Sequence, residues 1–192
     1  MRIVAGTRKG LALRVPEGRA VRPTPGRVRE AAMSVLGGFL DGERVLDVCA
    51  GSGAMALELL SRGAGEAVLV EPDAEALLAL RHNLQRARFE GQVRLLAMAA
   101  EQALPQLGRE GRPFDLIWLD PPWDGELHLP LVALLARHGL LAAGGELWIE
   151  HDGRLQEAAI AQASGGRFAL EQRRRYGSVC VDRWMPVAEA GE

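Results

Sequence analysis

A carboxylate, two prolines and a tryptophan stand together in Asp120-Pro121-Pro122-Trp123, directly after the apolar run 114–119. The run has the length and composition of a buried strand, so these residues are expected where the strand ends and a loop begins. Ligands of open α/β sheets bind beyond the carboxyl ends of the strands. The four residues are therefore candidates for binding a ligand and for reacting with it.

Their groups suit chemistry on an exocyclic amine of a nucleobase, which is a poor nucleophile because its lone pair is delocalised into the ring. The Asp120 carboxylate and the Pro121 carbonyl could hold both N–H groups and turn the lone pair out of the ring plane. Pro122 would keep the preceding backbone extended. Trp123 would stack on an extruded base, which is worth about 1–3 kcal/mol in single-strand binders. A strand-ending turn with a buried tryptophan is the alternative interpretation.

A glycine-rich loop, Cys49-Ala50-Gly51-Ser52-Gly53, lies between a predicted strand at 45–48 and a predicted helix. Glycines allow the backbone to approach a ligand closely and to turn sharply into a helix. The next predicted strand, 67–70, is followed by Glu71-Pro72, and Glu71 lies 18 residues after Gly53. This spacing also fits the loose dinucleotide-binding pattern, in which an acid about 20 residues further on binds the ribose. The loop alone therefore does not exclude NAD.

Two further features favour S-adenosylmethionine over NAD. Asp47 lies on the strand that leads into the loop, where a carboxylate suits the cationic amino-acid end and the sulfonium better than a pyrophosphate. A dehydrogenase also has no use for Asp-Pro-Pro-Trp after the fourth strand. Glu71 could accept both ribose hydroxyls of either cofactor. The structural alternatives are a buried acid that binds loop amides for Asp47, and a charged residue before a helix for Glu71.

Alternating strands and helices along the chain are typical of a doubly wound, mainly parallel α/β sheet of Rossmann-like type. Further strands are predicted at 93–96, 114–119, 146–150, 167–176 and 179–184. The last two are joined around Gly177-Ser178, a connection too short for a parallel crossover, so this pair is expected to be antiparallel. With 192 residues, 48% of them apolar, the chain is long enough for one α/β domain.

The amino-terminal segment 1–30 carries eight Arg and Lys side chains against two Glu, a net charge of +6 that leaves −8 for the remainder. Strands at 2–5 and 11–15 are expected to form a hairpin that projects from the domain. A helix is predicted to follow, capped by Thr24 and ended by Gly37-Gly38. A basic arm on an acidic body suggests a polyanionic partner, and a solvated surface segment is the alternative.

Other features argue against a membrane, secretion or a metal. No apolar run approaches the roughly 20 residues of a membrane span, and the amino terminus lacks the apolar core of a signal peptide. Cys49 and Cys180 have no metal-ligand spacing and are interpreted as reduced thiols of a cytoplasmic protein. The four histidines are scattered and are interpreted as structural or solvent-exposed: His82, His128, His138 and His151.

At this point a resemblance becomes specific. The segment 45–53, Glu71 and Asp120-Pro121-Pro122-Trp123 resemble a class I S-adenosylmethionine-dependent methyltransferase that acts on an exocyclic amine. The segments 2–6, 22–24 and 27–30 resemble the start of the bacterial small-subunit ribosomal RNA guanine-N2-methyltransferases, the guanine-966 enzymes of 16S rRNA. Residues 50–54, 61–64 and 83–84 continue the match, which covers nearly the whole chain.

The resemblance implies a seven-stranded sheet with a reversed last strand and an amino-terminal β-hairpin used on RNA. The sequence is divided into a basic arm at 1–24, a methyltransferase domain at 25–186 and a tail at 187–192 that is expected to be disordered. The residues expected to contact the cofactor are Asp47, Cys49, Ala50, Gly51, Ser52, Gly53, Glu71, Pro72, Ala100, Thr24 and Arg27. Those expected to contact RNA are Arg2, Arg8, Lys9, Arg22 and Arg29.

Three positions depart from the family pattern. The adenine-side position, often Asp or Asn in relatives, falls in Met98-Ala99-Ala100, so adenine would be recognised there by backbone amides and apolar contact. Cys49 replaces the commoner phenylalanine beside the loop. Trp123 replaces the usual phenylalanine or tyrosine and keeps the stacking face.

The expected reaction is direct in-line methyl transfer to the guanine N2, with Asp120, Pro121, Pro122 and Trp123 as the catalytic set and no metal. The expected substrate is 16S ribosomal RNA within a 30S subunit or an assembly intermediate, and the protein is expected to be a monomer. Rivals are a DNA adenine-N6 or cytosine-N4 methyltransferase, a protein-glutamine methyltransferase and a non-catalytic RNA-binding assembly factor. An NAD dehydrogenase is the least favoured.

Overall fold

The protein is described here by a computed structural model that covers residues 1–16, 39–123 and 126–188. The chain divides into two compact units, Met1–Ala99 and Ala100–Glu192. The helix predicted after Thr24 and the predicted arm boundary at residue 24 lie outside the described residues. So do four candidate site residues: Arg22, Thr24, Arg27 and Arg29.

In its described residues the first unit contains three parallel strands and two α-helices, besides two short 3-10 helices. The elements are β1 (Arg44–Val48), α1 (Ala54–Ser61), β2 (Glu66–Val70), α2 (Ala74–Ala87) and β3 (Val93–Leu96). The strand order is β3-β2-β1, and Asp47 of β1 stands opposite Leu69 of β2. The last four residues of both β1 and β2 are buried, as in a parallel sheet covered on both faces. The predicted strands 45–48, 67–70 and 93–96 are confirmed.

The described part of the second unit contains four strands and three helices. The elements are α3 (Ala100–Arg109), β4 (Phe114–Leu119), α4 (His128–Arg137), β5 (Leu141–His151), α5 (Glu157–Ala163), β6 (Phe168–Tyr176) and β7 (Val179–Pro186). The order is β4-β5-β7-β6, in which β4 and β5 are parallel and β7 is antiparallel to both neighbours. The described chain thus supplies the predicted seven-stranded mixed sheet with an antiparallel last strand.

The predicted start of one strand in this unit is wrong. β5 begins at Leu141 rather than at 146, because the register with β4 shifts between Phe114 and Leu116 and the Gly144-Gly145 pair is accommodated in that irregularity. Beyond β7, the Val187 amide donates to the Arg167 carbonyl at 2.8 Å, and the disordered tail at 187–192 stays a prediction. Residues 189–192 lie outside the described part of the chain.

The amino-terminal residues form the expected hairpin, but they do not project from the domain. The Ile3 amide donates to the Leu11 carbonyl and the Leu13 amide to the Met1 carbonyl, both at 3.0 Å. Ile3 is 1% exposed and Leu13 is 6% exposed. A single antiparallel bridge, Arg2 to Ala12, stands where two strands were predicted. The apolar residues of the hairpin are therefore buried against the first unit.

Polar groups of α1 explain this docking. The Glu58 side chain, which is completely buried, accepts hydrogen bonds from the Val4 amide at 2.7 Å and from the Ala5 amide at 3.1 Å. Gly6 lies so close to α1 that a Cβ atom there would stand 1.7 Å from the Ser61 carbonyl oxygen. An unpaired buried carboxylate is costly, so the hairpin backbone and Glu58 stabilise each other.

Candidate active site

The glycine-rich loop after β1 has three residues in the left-handed region, at Cys49 (φ 64°), Gly51 (φ 56°) and Gly53 (φ 76°). A Cβ atom at Gly51 would meet nothing within 4 Å, whereas one at Gly53 would stand 3.2 Å from Leu80 Cγ. Gly51 thus presents bare backbone to open space, and Gly53 lets the loop pack on α2. A residue other than glycine at such a φ raises the free energy of the folded state by about 1–3 kcal/mol. Cys49 therefore makes a strained turn at the first residue of the loop.

Glu71, directly after β2, is tied to this loop by its carboxylate. Its Oε2 accepts a hydrogen bond from the Gly51 amide at 2.7 Å, and its Oε1 accepts one from the Asp73 amide at 2.8 Å. The residue is 7% exposed. Each carboxylate oxygen has a second lone pair, so both can still accept a ribose hydroxyl. The structure therefore fixes Glu71 in a position compatible with its predicted role.

Asp47 is 2% exposed, and its Oδ2 accepts a hydrogen bond from the Ala56 amide at 3.1 Å. Ala56 lies in the first turn of α1, where amides lack partners within the helix. Gly53, at the N-cap position, has no side chain that could accept hydrogen bonds from these amides. This contact supports the structural interpretation of Asp47, as a buried acid that binds amides near the loop. Direct contact with the cofactor stays a prediction.

Asn83 contacts the cofactor loop, although the sequence assigned it no role and included it only in a segment that matches the family. It is completely buried on α2 and donates through Nδ2 to the Ser52 carbonyl and to the Arg14 carbonyl, both at 2.9 Å. Its Oδ1 accepts from the Arg14 amide at 2.7 Å. One amide thus joins the cofactor-loop backbone to the amino-terminal hairpin. The available signal was an amide on the apolar face of α2, which also contains Ala76, Ala79, Leu80, Leu84 and Ala87.

In the second unit, Asp120-Pro121-Pro122-Trp123 begins where β4 ends, as predicted. Asp120 and Trp123 are half-buried, Pro121 is buried and Pro122 is exposed. The alternative of a buried tryptophan is therefore not what the structure shows, because part of the Trp123 surface is accessible. The pairing of Leu119 with Ile149 places Asp120 level with the end of β5.

His128 connects the start of α4 to the end of the neighbouring strand β5. It is the first residue of α4, it is 9% exposed, and its Nε2 donates to the Glu150 carbonyl at 2.9 Å. Burial lowers the pKa of His128 and the charge of His151 acts in the same direction, while the Glu150 contact and Asp152 oppose the change. The neutral imidazole therefore ties the start of α4 to the end of β5. This is the structural role expected for it from the sequence.

The remaining cofactor candidates are divided between the two units. Cys49, Ala50 and Ser52 lie in the loop, and Pro72 is exposed directly after Glu71. Ala100 is the first residue of α3 and is 5% exposed. The first unit therefore brings together Asp47, residues 49–53 and Glu71-Pro72. The second unit carries Ala100 and residues 120–123.

The candidate RNA-binding residues of the hairpin differ in their surroundings. Arg2 and Lys9 are exposed, and Arg2 Nη1 donates to the Gly10 carbonyl at 2.8 Å. Arg8 is held on the first unit, because its Nε donates to the Ala87 carbonyl at 2.6 Å and its guanidinium carbon lies 5.1 Å from the centre of the Phe89 ring. Arg8 therefore anchors the hairpin whether or not it also contacts RNA.

Some other arrangements are absent from the part of the chain that the structure describes. Within residues 1–16, 39–123 and 126–188, no three or more His, Cys, Asp and Glu side chains are placed to hold a metal ion. In the same ranges no helix is both long and apolar enough to cross a membrane. Cys49 and Cys180 are free thiols, the first half-buried and the second buried.

Comparisons with known proteins place the chain. The family model described as conserved hypothetical protein 95 matches residues 1–184. The Bacillus subtilis protein YlbH, named for a proposed rRNA methyltransferase activity, is 31% identical over 177 residues, which cover 92% of this chain and 94% of YlbH. Ribosomal RNA small subunit methyltransferase D of Escherichia coli K12 is 34% identical over 152 residues, 79% of this chain and 75% of that one.

A solved structure agrees over almost the whole length. The Escherichia coli protein yhhF, named as a proposed methyltransferase, matches with a TM-score of 0.82 and 30% identity, covering 98% of this chain and 99% of that one. The match includes both compact units and supports the class I methyltransferase fold, whose cofactor is S-adenosylmethionine. The chain belongs to the conserved hypothetical protein 95 family, the family of ribosomal RNA small subunit methyltransferase D.

Proposed function

We propose that this protein methylates the exocyclic N2 amine of one guanine in 16S ribosomal RNA, at the position of guanine 966 in the family it resembles. The observation that carries the proposal is the Asp120-Pro121-Pro122-Trp123 set directly after β4, with Asp120 and Trp123 half-buried, in a chain of the small-subunit rRNA methyltransferase D family. Acceptors and a flat ring at that point suit an extruded base that carries an exocyclic amine.

On the cofactor side, the residues present fit S-adenosylmethionine. Gly51 leaves open space beside the loop backbone, and Glu71 retains acceptor capacity on both oxygens for ribose hydroxyls. Asp47 holds the start of α1 and thereby shapes the loop. The bound cofactor supplies a methyl group on a sulfonium, which is a good leaving group and requires no metal.

On the substrate side, Asp120 and the Pro121 carbonyl accept the two N–H groups of the guanine N2 and orient its lone pair. Trp123 stacks on the flipped base. Most of the rate acceleration comes from positioning the two reactants in line. Asp120 need not be a strong base, because the amine loses its proton readily once the N–C bond forms. Pro122 keeps the backbone carbonyl of Pro121 pointed at the base by restricting the preceding residue.

The substrate state and location are part of the proposal. The hairpin offers few exposed cations, with Arg2 and Lys9 the exposed ones among its predicted RNA contacts in the described residues. Few contacts favour a protein-bound RNA whose shape supplies part of the recognition, so the substrate is 16S rRNA within a 30S subunit or an assembly intermediate. The enzyme acts as a cytoplasmic monomer.

A substrate panel tests this proposal. Purified protein and methyl-labelled S-adenosylmethionine are incubated with 30S subunits that lack the modification, with deproteinised 16S rRNA and with DNA. Label in the 30S subunit and little in the others is the expected result. Label in DNA would instead indicate an adenine or cytosine amino-methyltransferase. Cofactor binding without label in any substrate would favour a non-catalytic assembly factor.

A further inference from the structure

The hairpin formed by β6 and β7 ends in a basic and aromatic tip that the proposed mechanism does not use. The strand β6 finishes with Arg173, Arg174, Arg175 and Tyr176, and Gly177-Ser178 make the turn. The three arginines and the two turn residues are exposed, and Tyr176 is half-buried. Tyr176 is the only tyrosine of the chain. Cations interleaved with an aromatic ring are the residue types that bind single-stranded nucleic acid.

The topology of the second unit places this tip beside the candidate active site. Strand β4 ends at Leu119, and the parallel neighbour β5 ends at His151. Because β7 is antiparallel to β5 and pairs Cys180 with His151, β7 begins at the end of the sheet where β4 and β5 finish. Tyr176 pairs with Val179, one position beyond that end. The tip and Asp120-Pro121-Pro122-Trp123 therefore lie at the same end of the sheet.

The base of the tip is fixed by a buried ion pair. Arg173 donates through Nε and Nη2 to the two carboxylate oxygens of Asp182, at 2.7 and 2.6 Å. Asp182 is completely buried, and its Oδ2 lies 3.2 Å from His151 Nε2. Arg173 Nη2 also donates to the Leu155 carbonyl at 3.2 Å. Arg173 is thus neutralised and holds the hairpin in position rather than offering a free charge.

The next two arginines provide the net positive charge. Arg174 and Arg175 form no ion pair with any residue in the described ranges, and the Arg175 Nε donates only to the Gly177 carbonyl, at 3.0 Å. Arg154, on the segment after β5, is neutralised by an ion pair with Asp152. Side chains alternate along a strand, so Arg174 and Arg175 extend from opposite faces of β6. They can therefore reach two different phosphates.

We propose that the β6–β7 tip is a second RNA-binding surface, in which Arg174 and Arg175 contact phosphates flanking the target guanine and Tyr176 stacks on an unpaired neighbouring base. The inference rests on the proposed function, since it assumes that the polyanion bound at this end of the sheet is RNA. The contact would add to the amino-terminal hairpin, which belongs to the other compact unit. Backbone contacts of this kind supply affinity and register rather than sequence readout.

An ordinary protective role for the arginines is the rival explanation. β6 is the outer strand of the order β4-β5-β7-β6, and edge strands often carry charged side chains that prevent pairing with other chains. On that explanation, removing Arg174 and Arg175 would promote self-association and leave RNA binding unchanged. The two explanations therefore predict opposite results for one double variant.

The test compares Arg174→Ala/Arg175→Ala with Arg109→Ala/Arg137→Ala. The control arginines are exposed. They are the last residues of α3 and α4, at the end of the sheet where β4 and β5 begin. Binding to unmodified 30S subunits and to deproteinised 16S rRNA is measured from low to moderate salt, without turnover. The tip variant should weaken binding at least tenfold. It should also flatten the slope of log K against log salt by about 1.4–1.8, because each of the two phosphate contacts contributes about 0.7–0.9. The control should leave both unchanged.

Equal slopes for the tip variant and the wild type would overturn the inference. Tyr176→Leu should weaken binding without altering the slope, whereas Tyr176→Phe should retain affinity. If the double variant unfolds, Arg174→Glu serves instead, because no hydrogen bond of the described structure involves that side chain. Failure of the proposed function is seen separately, as absence of methyl transfer by the wild type. The salt slope reports on the tip in either case.

Discussion

The buried amide of Asn83 donates to the Ser52 carbonyl at 2.9 Å and also binds both backbone groups of Arg14, so one side chain on α2 joins the cofactor loop to the amino-terminal hairpin. The hairpin is the part of the first unit predicted to meet RNA, and the loop is the part predicted to meet the cofactor. Their common anchor gives the two predicted binding events a shared structural element within this unit.

Asn83→Ala should weaken the attachment of both the cofactor loop and the amino-terminal hairpin to α2. Because the change leaves three partly buried backbone groups without this partner, we expect the free energy of unfolding to fall by about 1–3 kcal/mol. The dissociation constant of S-adenosylmethionine should rise about tenfold, since loss of one such contact is worth about 1.4 kcal/mol. Calorimetric titration and thermal melting measure the two effects. Gln85→Ala, an exposed position on the same helix, is the matched control. Unchanged cofactor affinity in a folded Asn83→Ala protein would contradict this role.

Glu71→Gln should weaken cofactor binding more than its small change in shape suggests. The carboxylate accepts from two backbone amides, Gly51 and Asp73, and a glutamine must turn its NH₂ group towards one of them. Hydrogen bonds to charged groups contribute about 1.5–3 kcal/mol, so the dissociation constant should rise about 10- to 100-fold. Glu75→Gln, on the exposed first turn of α2, should leave it unchanged. Equal affinities of the two variants would refute a cofactor-binding role for Glu71.

Asp120→Ala should lower the methyl-transfer rate by at least about 10²-fold, because misplacement of the reacting amine alone can cost that much. Cofactor affinity should be retained, since the residues predicted to hold the ribose lie in the first unit. A single-turnover rate on unmodified 30S subunits and a cofactor titration separate the two effects. Glu126→Ala, an exposed acid further along the same loop, is the control. Full activity of the Asp120→Ala protein would exclude the proposed mechanism.

His128→Gln should remove part of the acid sensitivity of the fold while keeping a donor for the Glu150 carbonyl. Burial lowers the pKa of His128 below its ordinary value of 6.5, so the unfolded chain takes up a proton more readily than the folded one. The contribution of His128 to the free energy of unfolding is therefore fully present above pH 6.5 and is lost progressively as the pH falls below that value. One group contributes a slope of at most about 1.4 kcal/mol per pH unit.

Urea unfolding of the wild type, His128→Gln and the exposed-site control His82→Gln between pH 7 and pH 5 measures this effect. The wild type and the control should lose stability in parallel, and the His128→Gln curve should be flatter. Identical slopes for all three proteins would show that His128 does not contribute.

The strands that lead into the candidate motifs could be predicted from the sequence because each is a short apolar run followed by a polar motif. Thus β1 leads to residues 49–53, β2 leads to Glu71, and β4 leads to Asp120. Parallel strands covered on both faces produce such runs, and their carboxyl ends are where ligands bind. Both the fold class and the location of the site motifs therefore followed from local pattern.

Contacts between distant segments could not be predicted in this way. Glu58 lies among apolar residues of α1. Besides Arg62 one turn along the helix, it binds backbone amides more than fifty residues earlier in the chain. Asn83 similarly binds Arg14 across 69 residues. A backbone group carries no residue-type signal, so these pairs explain why the hairpin was expected to project and why Asn83 was not assigned a role. The early start of β5 was missed because Gly144-Gly145 resembles a turn when it is read without its partner strand.

The identity of the nucleoside that accepts the methyl group is the most direct test of the proposed function. Unmodified 30S subunits are treated with the protein and labelled S-adenosylmethionine, and the 16S rRNA is then extracted, digested to nucleosides and separated against standards. The proposed function predicts that the label co-elutes with N2-methylguanosine and that the Asp120→Ala protein transfers it at least about 10²-fold more slowly. Label on any other nucleoside, or on a ribosomal protein, would contradict it.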